Sequence, residues 1–469
     1  MISYSQDHWD FERCITYMKE NNISIKGSRL DIDLAELEYI KSRTDFLPTL
    51  GFTVSSNIGL GRSIDPLTNN FTNEPVSSVG GGFDISYTVF DGFKKWYDLR
   101  KNKLEVHKKK WNYQLTERDT RIVLANLYFR ILFLQEQLQN TRTQLEISET
   151  QLSVVQELVD SGRKPKSDFL NQESFVLDTR LELNTLENTL VDTYEELRIL
   201  LQLPEQEQLN VTSLYLDDYT IEMDDPEYLK ELLSKAKKIP ELNINEASIK
   251  QAKLDYKYAK KTYLPKLSVT YGFSSLTISN SVTFLPQEGT ESISIDQIGF
   301  VSSDGGVTRG DAVFTQNIIL PEDQVIKTSI QDQLKNNFSQ SIGISLDIPF
   351  LSSNTFLERN SKRAKIRLDQ AKLEFESTSD QIGQKLKEIA NDVKLASNTF
   401  RIAQKKKETS EEAFRITKGL YSFGQLSFYE YRTSQIEYRK SLYQLTKAKF
   451  DYILKDKILK AYLGTPLTF

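Results

Sequence analysis

The sequence predicts a mainly α-helical fold with a smaller β part that contributes four strands. Three observations support this: a very long uninterrupted helical run, four strictly alternating segments, and an internal duplication of the whole pattern. The helical run extends from Phe93 to Ser161, 69 residues without Gly or Pro, between Gly92 and Gly162. This length exceeds that of ordinary globular helices and indicates a coiled coil.

Apolar residues recur every seven positions along this run, at Leu124, Ile131, Leu138, Leu145, Leu152 and Val159. Such heptad spacing is typical of helices that pack against each other along a seam. The next uninterrupted run, 166–203, holds 38 residues, and the segment 227–264 adds another 38, so two shorter segments placed end to end match one long helix.

The second half of the chain repeats the first. Gly162 corresponds to Gly424, which lies 262 residues later, and the Leu-Pro pair at 47–48 corresponds to the pair at 264–265. A period of this length indicates a tandem duplication rather than a solenoid. The smaller separation of the Leu-Pro pairs means that extra residues precede the second long helix.

Each half is predicted to contain a helix, two strands, a long helix, a turn and a shorter helix. The first repeat, 1–204, has a helix over 9–46, strands near 49–60 and 79–90, and helices over 93–161 and 166–203. An equatorial segment, 205–226, includes a short strand at 214–216. The second repeat, 227–469, has a helix over 227–264, strands near 266–276 and 339–350, and helices over 352–418 and 425–463.

Each predicted strand has one apolar face and one polar or small face. In the fourth strand, Ile342, Ile344 and Leu346 alternate with Ser341, Gly343 and Ser345. A soluble, half-buried sheet shows the same alternation. No predicted helix is left to cover the apolar faces, however, so lipid or a partner is expected there. Membrane barrels have at least about eight strands and no open edges, so the sequence predicts a membrane barrel shared between subunits.

The composition argues against several classes of protein. The net charge of −5, from 60 basic and 65 acidic residues, is unlike that of a nucleic-acid-binding protein. Cys14 is the one cysteine, and His8 and His107 lie far apart. We therefore predict no internal disulfide, no metal or cofactor site, no catalytic residue and no enzyme. No apolar run is long enough for a transmembrane helix, and no signal peptide follows Met1, so the protein is either cytosolic or lacks its signal here.

The ordered duplication resembles the TolC family of outer-membrane channel proteins over nearly the whole chain, outside a long loop at 277–338. The segments that carry the resemblance are Leu-Gln-Leu-Pro at 201–204, Leu-Gly-Thr-Pro at 463–466, Val-Phe-Asp-Gly at 89–92, and Tyr421 to Glu430.

The resemblance implies a homotrimer with a twelve-stranded barrel in the outer membrane and a helical coiled-coil barrel in the periplasm. It further implies passive export of substrates delivered by a periplasmic adaptor and an inner-membrane transporter, as in multidrug efflux or type I secretion. The loops 61–75 and 277–338 would face the outside of the cell. Gly162 and Arg163, with Gly424 and Gln425 in the second repeat, would form the turns that contact the adaptor.

The resemblance also implies a periplasmic gate in which Asp168 bonds Tyr421. Leu426 stands where the best-known relative has an Arg that assists closure. Glu430 would form an acidic ring that favours cations, with a pKa raised by crowding, and Thr433 stands where a second ring would lie. Two simpler interpretations stay open: Asp168 suits the first turn of any helix, and Glu430 suits a solvated helix surface.

Two further alternatives stay open. Trp96, Tyr97 and Tyr263 fit either an interfacial aromatic belt or helix core packing. The chain as a whole also fits a soluble coiled-coil scaffold with a small sheet, while no compact β-domain supports a periplasmic adaptor.

Overall fold

The computed structural model describes residues 8–64, 71–73, 75–207, 209–212, 239–279, 281–285, 292–301, 311–319, 324–349 and 354–464. The chain divides into two compact units. The helical unit comprises Met1–Ser42, Trp96–Lys260 and Thr355–Phe469, and the strand unit comprises Arg43–Lys95 and Lys261–Asn354. The predicted strand at 214–216 and the first part of the predicted helix 227–264 lie outside the described residues.

The described ranges contain eight helices. They are α1 (Phe11–Asn21), α2 (Ile23–Thr44), α3 (Lys94–Asp160), α4 (Lys166–Leu201), α5 (Pro240–Ala259), α6 (Ile330–Asn336), α7 (Asn354–Ser422) and α8 (Phe428–Tyr462). None of the helices in these ranges has both the length and the apolarity to cross a membrane. The division of the chain into two repeats stays a prediction.

Twelve strands lie in the same ranges. They are β1 (His8–Trp9), β2 (Thr49–Gly59), β3 (Ser63–Ile64), β4 (Phe71–Thr72), β5 (Val76–Asp91), β6 (Asn210–Val211), β7 (Lys266–Ile278), β8 (Val282–Leu285), β9 (Ser292–Val301), β10 (Asp311–Ile319), β11 (Gln324–Lys327) and β12 (Ser339–Asp347). The pairs β3–β4, β8–β11 and β9–β10 are small antiparallel sheets, and the last two lie in the predicted long loop.

Asn22 divides the first predicted helix. The sequence predicts one helix over 9–46, whereas the structure has α1 and α2 with Asn22 extended between them. The Asn22 Oδ1 accepts hydrogen bonds from the backbone N–H of Ser24 at 3.0 Å and of Ile25 at 3.3 Å, and its Nδ2 donates to the Leu200 carbonyl at 2.8 Å. Because the side chain satisfies free N–H groups of a new helix, it starts α2 there, and the single-helix prediction is wrong.

The seam of α3 follows the predicted heptads in its middle part, whereas the predicted residues Leu145, Leu152 and Val159 are only half-buried. Leu124, Ile131 and Leu138 are buried, and the residues three positions after Ile131 and Leu138, Leu134 and Thr141, are buried too. Ser148 and Val155 continue this second row. Together the two rows form the alternating three- and four-residue spacing of a coiled-coil seam.

A buried cluster surrounds α1 within the helical unit. Its members come from α1, α2, α3, α4, α8 and the parallel β1–β6 pair, and include Trp9, Phe11, Met18, Tyr128, Leu197 and Val211. The Tyr128 hydroxyl lies 2.9 Å from the Thr212 carbonyl oxygen and 3.2 Å from that of Trp9, which joins α3 to both short strands. Burial raises the pKa of Cys14 to about 12, so this thiol stays protonated.

A second cluster joins α3, α7 and α8 through Phe129, Ile389, Val393, Tyr452 and Ile453. Near the start of α3, Tyr97 is buried and its ring lies 5.8 Å from that of Tyr258, centroid to centroid. Tyr97 is therefore a core residue, while Trp96 and Tyr263 are exposed.

The strand unit contains one antiparallel four-stranded sheet in the order β12-β7-β5-β2. Its register places phenylalanines of neighbouring strands side by side. Phe52 pairs with Phe83, which pairs with Phe273 on β7. The neighbouring row places Asp84 beside Gly51, where a Cβ would lie 2.4 Å from the Asp84 carboxylate oxygen. Glycine at 51 therefore makes room for an acidic side chain on the polar face.

Candidate functional site

Two helix hairpins of the helical unit, α3–α4 and α7–α8, end in turns of the same kind. Gly162 and Gly424 have φ values of +70° and +72°, a conformation that favours glycine. After α3, the N–H of Gly162 donates to the Val159 carbonyl at 2.9 Å and that of Arg163 to Leu158 at 2.8 Å.

After α7, the N–H of Gly424 donates to the Tyr421 carbonyl at 3.0 Å and that of Gln425 to Leu420 at 3.0 Å. Each glycine with the residue after it thus completes a Schellman motif, which satisfies carbonyl groups left free at the helix end. All four predicted turn residues, Gly162, Arg163, Gly424 and Gln425, are exposed.

The two predicted gate residues Asp168 and Tyr421 are brought close together, but a lysine lies between them. The Lys164 Nζ is 3.8 Å from the Asp168 carboxylate oxygen and donates a hydrogen bond to the Tyr421 hydroxyl. It also lies 4.3 Å from the centroid of the Tyr421 ring. The direct bond from Asp168 to Tyr421 that the resemblance implied is therefore replaced by a bridge through Lys164.

Tyr421 is held in place by aromatic stacking. Its ring stacks on Tyr431 of α8 at 4.7 Å between centroids, with only 13° between the ring planes. Tyr431 is buried, which raises its pKa, and its hydroxyl accepts a hydrogen bond from Gln151 Nε2 of α3 at 2.9 Å. The Tyr421 hydroxyl, which accepts the hydrogen bond from Lys164, is thus held in place by residues of both hairpins.

Two arginines of α8 also join the hairpins. The Arg432 guanidinium carbon lies 3.3 Å from the centroid of the Phe175 ring on α4, and that of Arg439 lies 5.6 Å from it. Arg439 is paired with Glu182 at 2.9 Å, whereas Arg432 donates to the Gln435 side chain at 3.1 Å. Burial and the neighbouring Arg439 charge lower the pKa of Arg432 to about 10.

Glu430 has a local partner. It forms a capping box with Ser427, whose backbone N–H and hydroxyl donate to the Glu430 carboxylate at 3.0 and 2.7 Å. The side-chain hydrogen bond from Ser427, followed by the backbone one, lowers the pKa of this exposed carboxyl. The raised pKa expected for an acidic ring depends on crowding between three copies, so it stays a prediction. The Thr433 hydroxyl donates to the Tyr429 carbonyl at 3.0 Å.

Sequence reasoning missed Lys164, Gln151 and the pairing of Arg432 with Phe175. A signal for Lys164 was present, because it lies four residues before Asp168, the spacing of an ion pair. The partners on the other hairpin had no such signal. In the described part of the chain, no group of three or more His, Cys, Asp or Glu residues is arranged to hold a metal ion.

Comparisons with known proteins agree with this architecture. Residues 15–201 match the family model described as outer membrane efflux protein. The pyoverdine export outer membrane protein OpmQ of Pseudomonas putida is 22% identical over 277 residues, 57% of this chain and 56% of that relative, so the match spans little more than half of the relative's length.

Solved structures match over almost the whole chain. A structure of CusC has a TM-score of 0.75 at 13% identity and covers 97% of this chain and 92% of that one. VceC of Vibrio cholerae has a TM-score of 0.70 at 11% identity and covers 98% and 97%. The fold is that of TolC-like outer-membrane channels, and the resemblance found in the sequence is confirmed.

Proposed function

We propose that this chain, whose fold is that of TolC-like outer-membrane channels, is the outer-membrane exit duct of a tripartite efflux pump or type I secretion system. Three copies would enclose one channel, through which substrates pass passively after an inner-membrane transporter and a periplasmic adaptor deliver them. The observation that carries the proposal is the four-stranded sheet, which has an exposed apolar face and two edges that are unpaired within the described ranges.

The apolar face of the sheet is continuous across all four strands. One row aligns Leu50, Ile85, Tyr271 and Ile342, and Leu50 and Ile342 are 77% and 75% exposed. The opposite face carries small and polar residues, such as the row Gly51, Asp84, Gly272 and Ser341. This division suits a wall with lipid on one side and water on the other.

The edges of the sheet are β2 and β12. Each pairs with one strand among the described residues, and open edges are not tolerated in lipid. Three antiparallel pairings separate β2 from β12, so the two edge strands run in opposite directions. The β2 edge of one copy can therefore join the β12 edge of the next in an antiparallel ladder. Three copies would give twelve strands, an even number as in other bacterial barrels.

The hairpin turns supply the proposed contacts with the periplasmic adaptor. Gly162, Arg163, Gly424 and Gln425 are exposed, and Phe423 beside them is 80% exposed. An exposed aromatic side chain on a turn suits a protein contact. Asp168, Tyr421 and Glu430 lie on the helices that flank these turns, where we place the gate.

The test compares two neighbouring residues of β12. Ile344, on the apolar face, is 74% exposed, and Ser345 points to the other face. A lysine on the lipid face of a barrel costs about 2–4 kcal/mol at mid-membrane, whereas lumen positions tolerate polar groups. We expect Ile344→Lys to reduce the detergent-extracted, heat-sensitive trimer seen by native mass spectrometry, and Ser345→Lys to leave it intact.

The wild-type protein should also need detergent for extraction and form channels in planar lipid bilayers. A wild-type protein that stays soluble and monomeric without detergent would support the scaffold alternative and overturn the proposal. Equal loss of trimer in both variants would contradict the assignment of the two faces.

A further inference from the structure

We infer that Lys164 is the positioning residue that latches the two hairpin turns of each chain together and so keeps the channel narrow at its periplasmic end. The inference rests on the proposed function. It differs from the gate implied by the family resemblance, in which Asp168 and Tyr421 bond each other directly.

The Lys164 ammonium meets groups from both hairpins. On its own hairpin, Asp168 in the first turn of α4 lies 3.8 Å away. On the other, Tyr421 in the last turn of α7 offers both its hydroxyl oxygen and its ring face, 4.3 Å from Nζ at the centroid. The Lys164 and Asp168 side chains are only 22% and 21% exposed, so water screens these contacts less than those of a surface pair.

The backbone positions Lys164 for this contact. Its N–H donates to the Leu158 carbonyl at 3.1 Å, which continues the Schellman turn begun at Gly162. The corresponding residue of the second hairpin, 262 positions later, is Leu426, which has no charge. The latch is therefore asymmetric, with the cation on the first hairpin and the acceptor on the second.

Tyr421 cannot follow Lys164 if the turns separate. Its ring is stacked on Tyr431, which is buried on α8 of the same hairpin as Tyr421. Hydrogen bonds and cation–π contacts vanish within a few ångströms, so separation of the turns breaks both contacts at once. Opening therefore requires the loss of the Lys164 contacts to Tyr421, while the Asp168 ion pair on the same hairpin survives.

The experiment measures single-channel conductance and open probability in planar lipid bilayers. Loss of one hydrogen bond from a charged group shifts a two-state equilibrium about tenfold, so Lys164→Met should raise open probability about tenfold. Lys164→Arg should restore closure, because it keeps the charge and donors. The matched control is Lys166→Met, which removes an exposed charge two residues away.

A second series separates a latch from a general effect of the turn. Tyr421→Phe removes the hydroxyl but keeps the ring, so it should open the channel less than Lys164→Met. The double variant should behave as Lys164→Met alone, because both changes remove the same contact. Trimer yield and heat sensitivity should match those of the wild type in every variant.

Wild-type open probability in Lys164→Met, or an equal rise in Lys166→Met, would overturn the latch. Additive effects in the double variant would also overturn it. If the wild-type protein forms no channel at all, the proposed function itself fails, and that outcome is distinct from the others.

Discussion

Replacement of Gly424 by alanine should loosen the second hairpin turn without any steric clash. Gly424 has φ +72°, and an added Cβ would meet nothing within 4 Å, so backbone strain is the only penalty. A left-handed conformation costs an L-residue about 1–2 kcal/mol. At 1.4 kcal/mol per tenfold, the turn should open roughly 5–30 times more often.

Gly419, five residues earlier in α7, provides a matched control. An added Cβ there also meets nothing within 4 Å, but the residue is helical. Alanine in a helix is about 1 kcal/mol more favourable than glycine, so Gly419→Ala should stabilise the same helix end. The same change from glycine to alanine is therefore expected to destabilise the turn at position 424 and to stabilise it at position 419.

Hydrogen exchange of the Gln425 amide, read by mass spectrometry of peptides across the turn, measures how often the turn opens. That N–H donates to the Leu420 carbonyl at 3.0 Å, so its protection reports the closed turn. Protection should fall in Gly424→Ala and rise or hold in Gly419→Ala. A shift of both variants in the same direction would refute the assignment of the strain to position 424.

Three other predictions follow from the structure. Asn22→Ala should lower the free energy of unfolding of the helical unit by about 1–2 kcal/mol, measured by denaturant titration, because α2 loses its cap; no change would show that α2 starts without it. Glu430→Gln should move the reversal potential under a salt gradient toward zero at neutral pH. Because Ser427 lowers the Glu430 pKa, the charged carboxylate stabilises α8 above the unfolded pKa of about 4.3, and this stabilisation is lost as pH falls through the lower folded pKa. The Glu430→Gln variant should lack this pH dependence. An unchanged reversal potential would leave Glu430 as a helix cap only. Protease added to intact cells should cut within 61–75 or 277–338, since both connections leave the same end of the sheet; cutting only after permeabilisation would reverse the topology.

The regular parts of the fold were predictable because their signals are local. Heptad spacing in α3 and strict alternation in the strands report which side of each element is covered. The break at Asn22 had only a weak local signal, the preference of asparagine for helix caps, and the bond from its Nδ2 to the Leu200 carbonyl joins residues 178 positions apart. The β1–β6 pair was not predictable either, because a strand of two residues is too short to show an alternating pattern.

The turns of the candidate site were predictable, and its contacts were not. Gly162 and Gly424 adopt the positive φ values expected of glycines just after a helix end, whereas Gly419 is helical within α7. Which side chain reaches Tyr421 depends on how the two hairpins lie against each other. Lys164 therefore became visible only in three dimensions, although its spacing to Asp168 was already present in the sequence.

The central pairing of the sheet can form only after the chain between its two strands has been synthesised. β5 pairs with β7 through residues such as Asp84 and Gly272, which are 188 positions apart (272 minus 84). At about 5–20 residues per second, synthesis of the intervening chain takes roughly 10–40 s. During that time the β2–β5 hairpin has an unpaired edge and an uncovered row of apolar side chains, including Phe52 and Phe83, which invites aggregation.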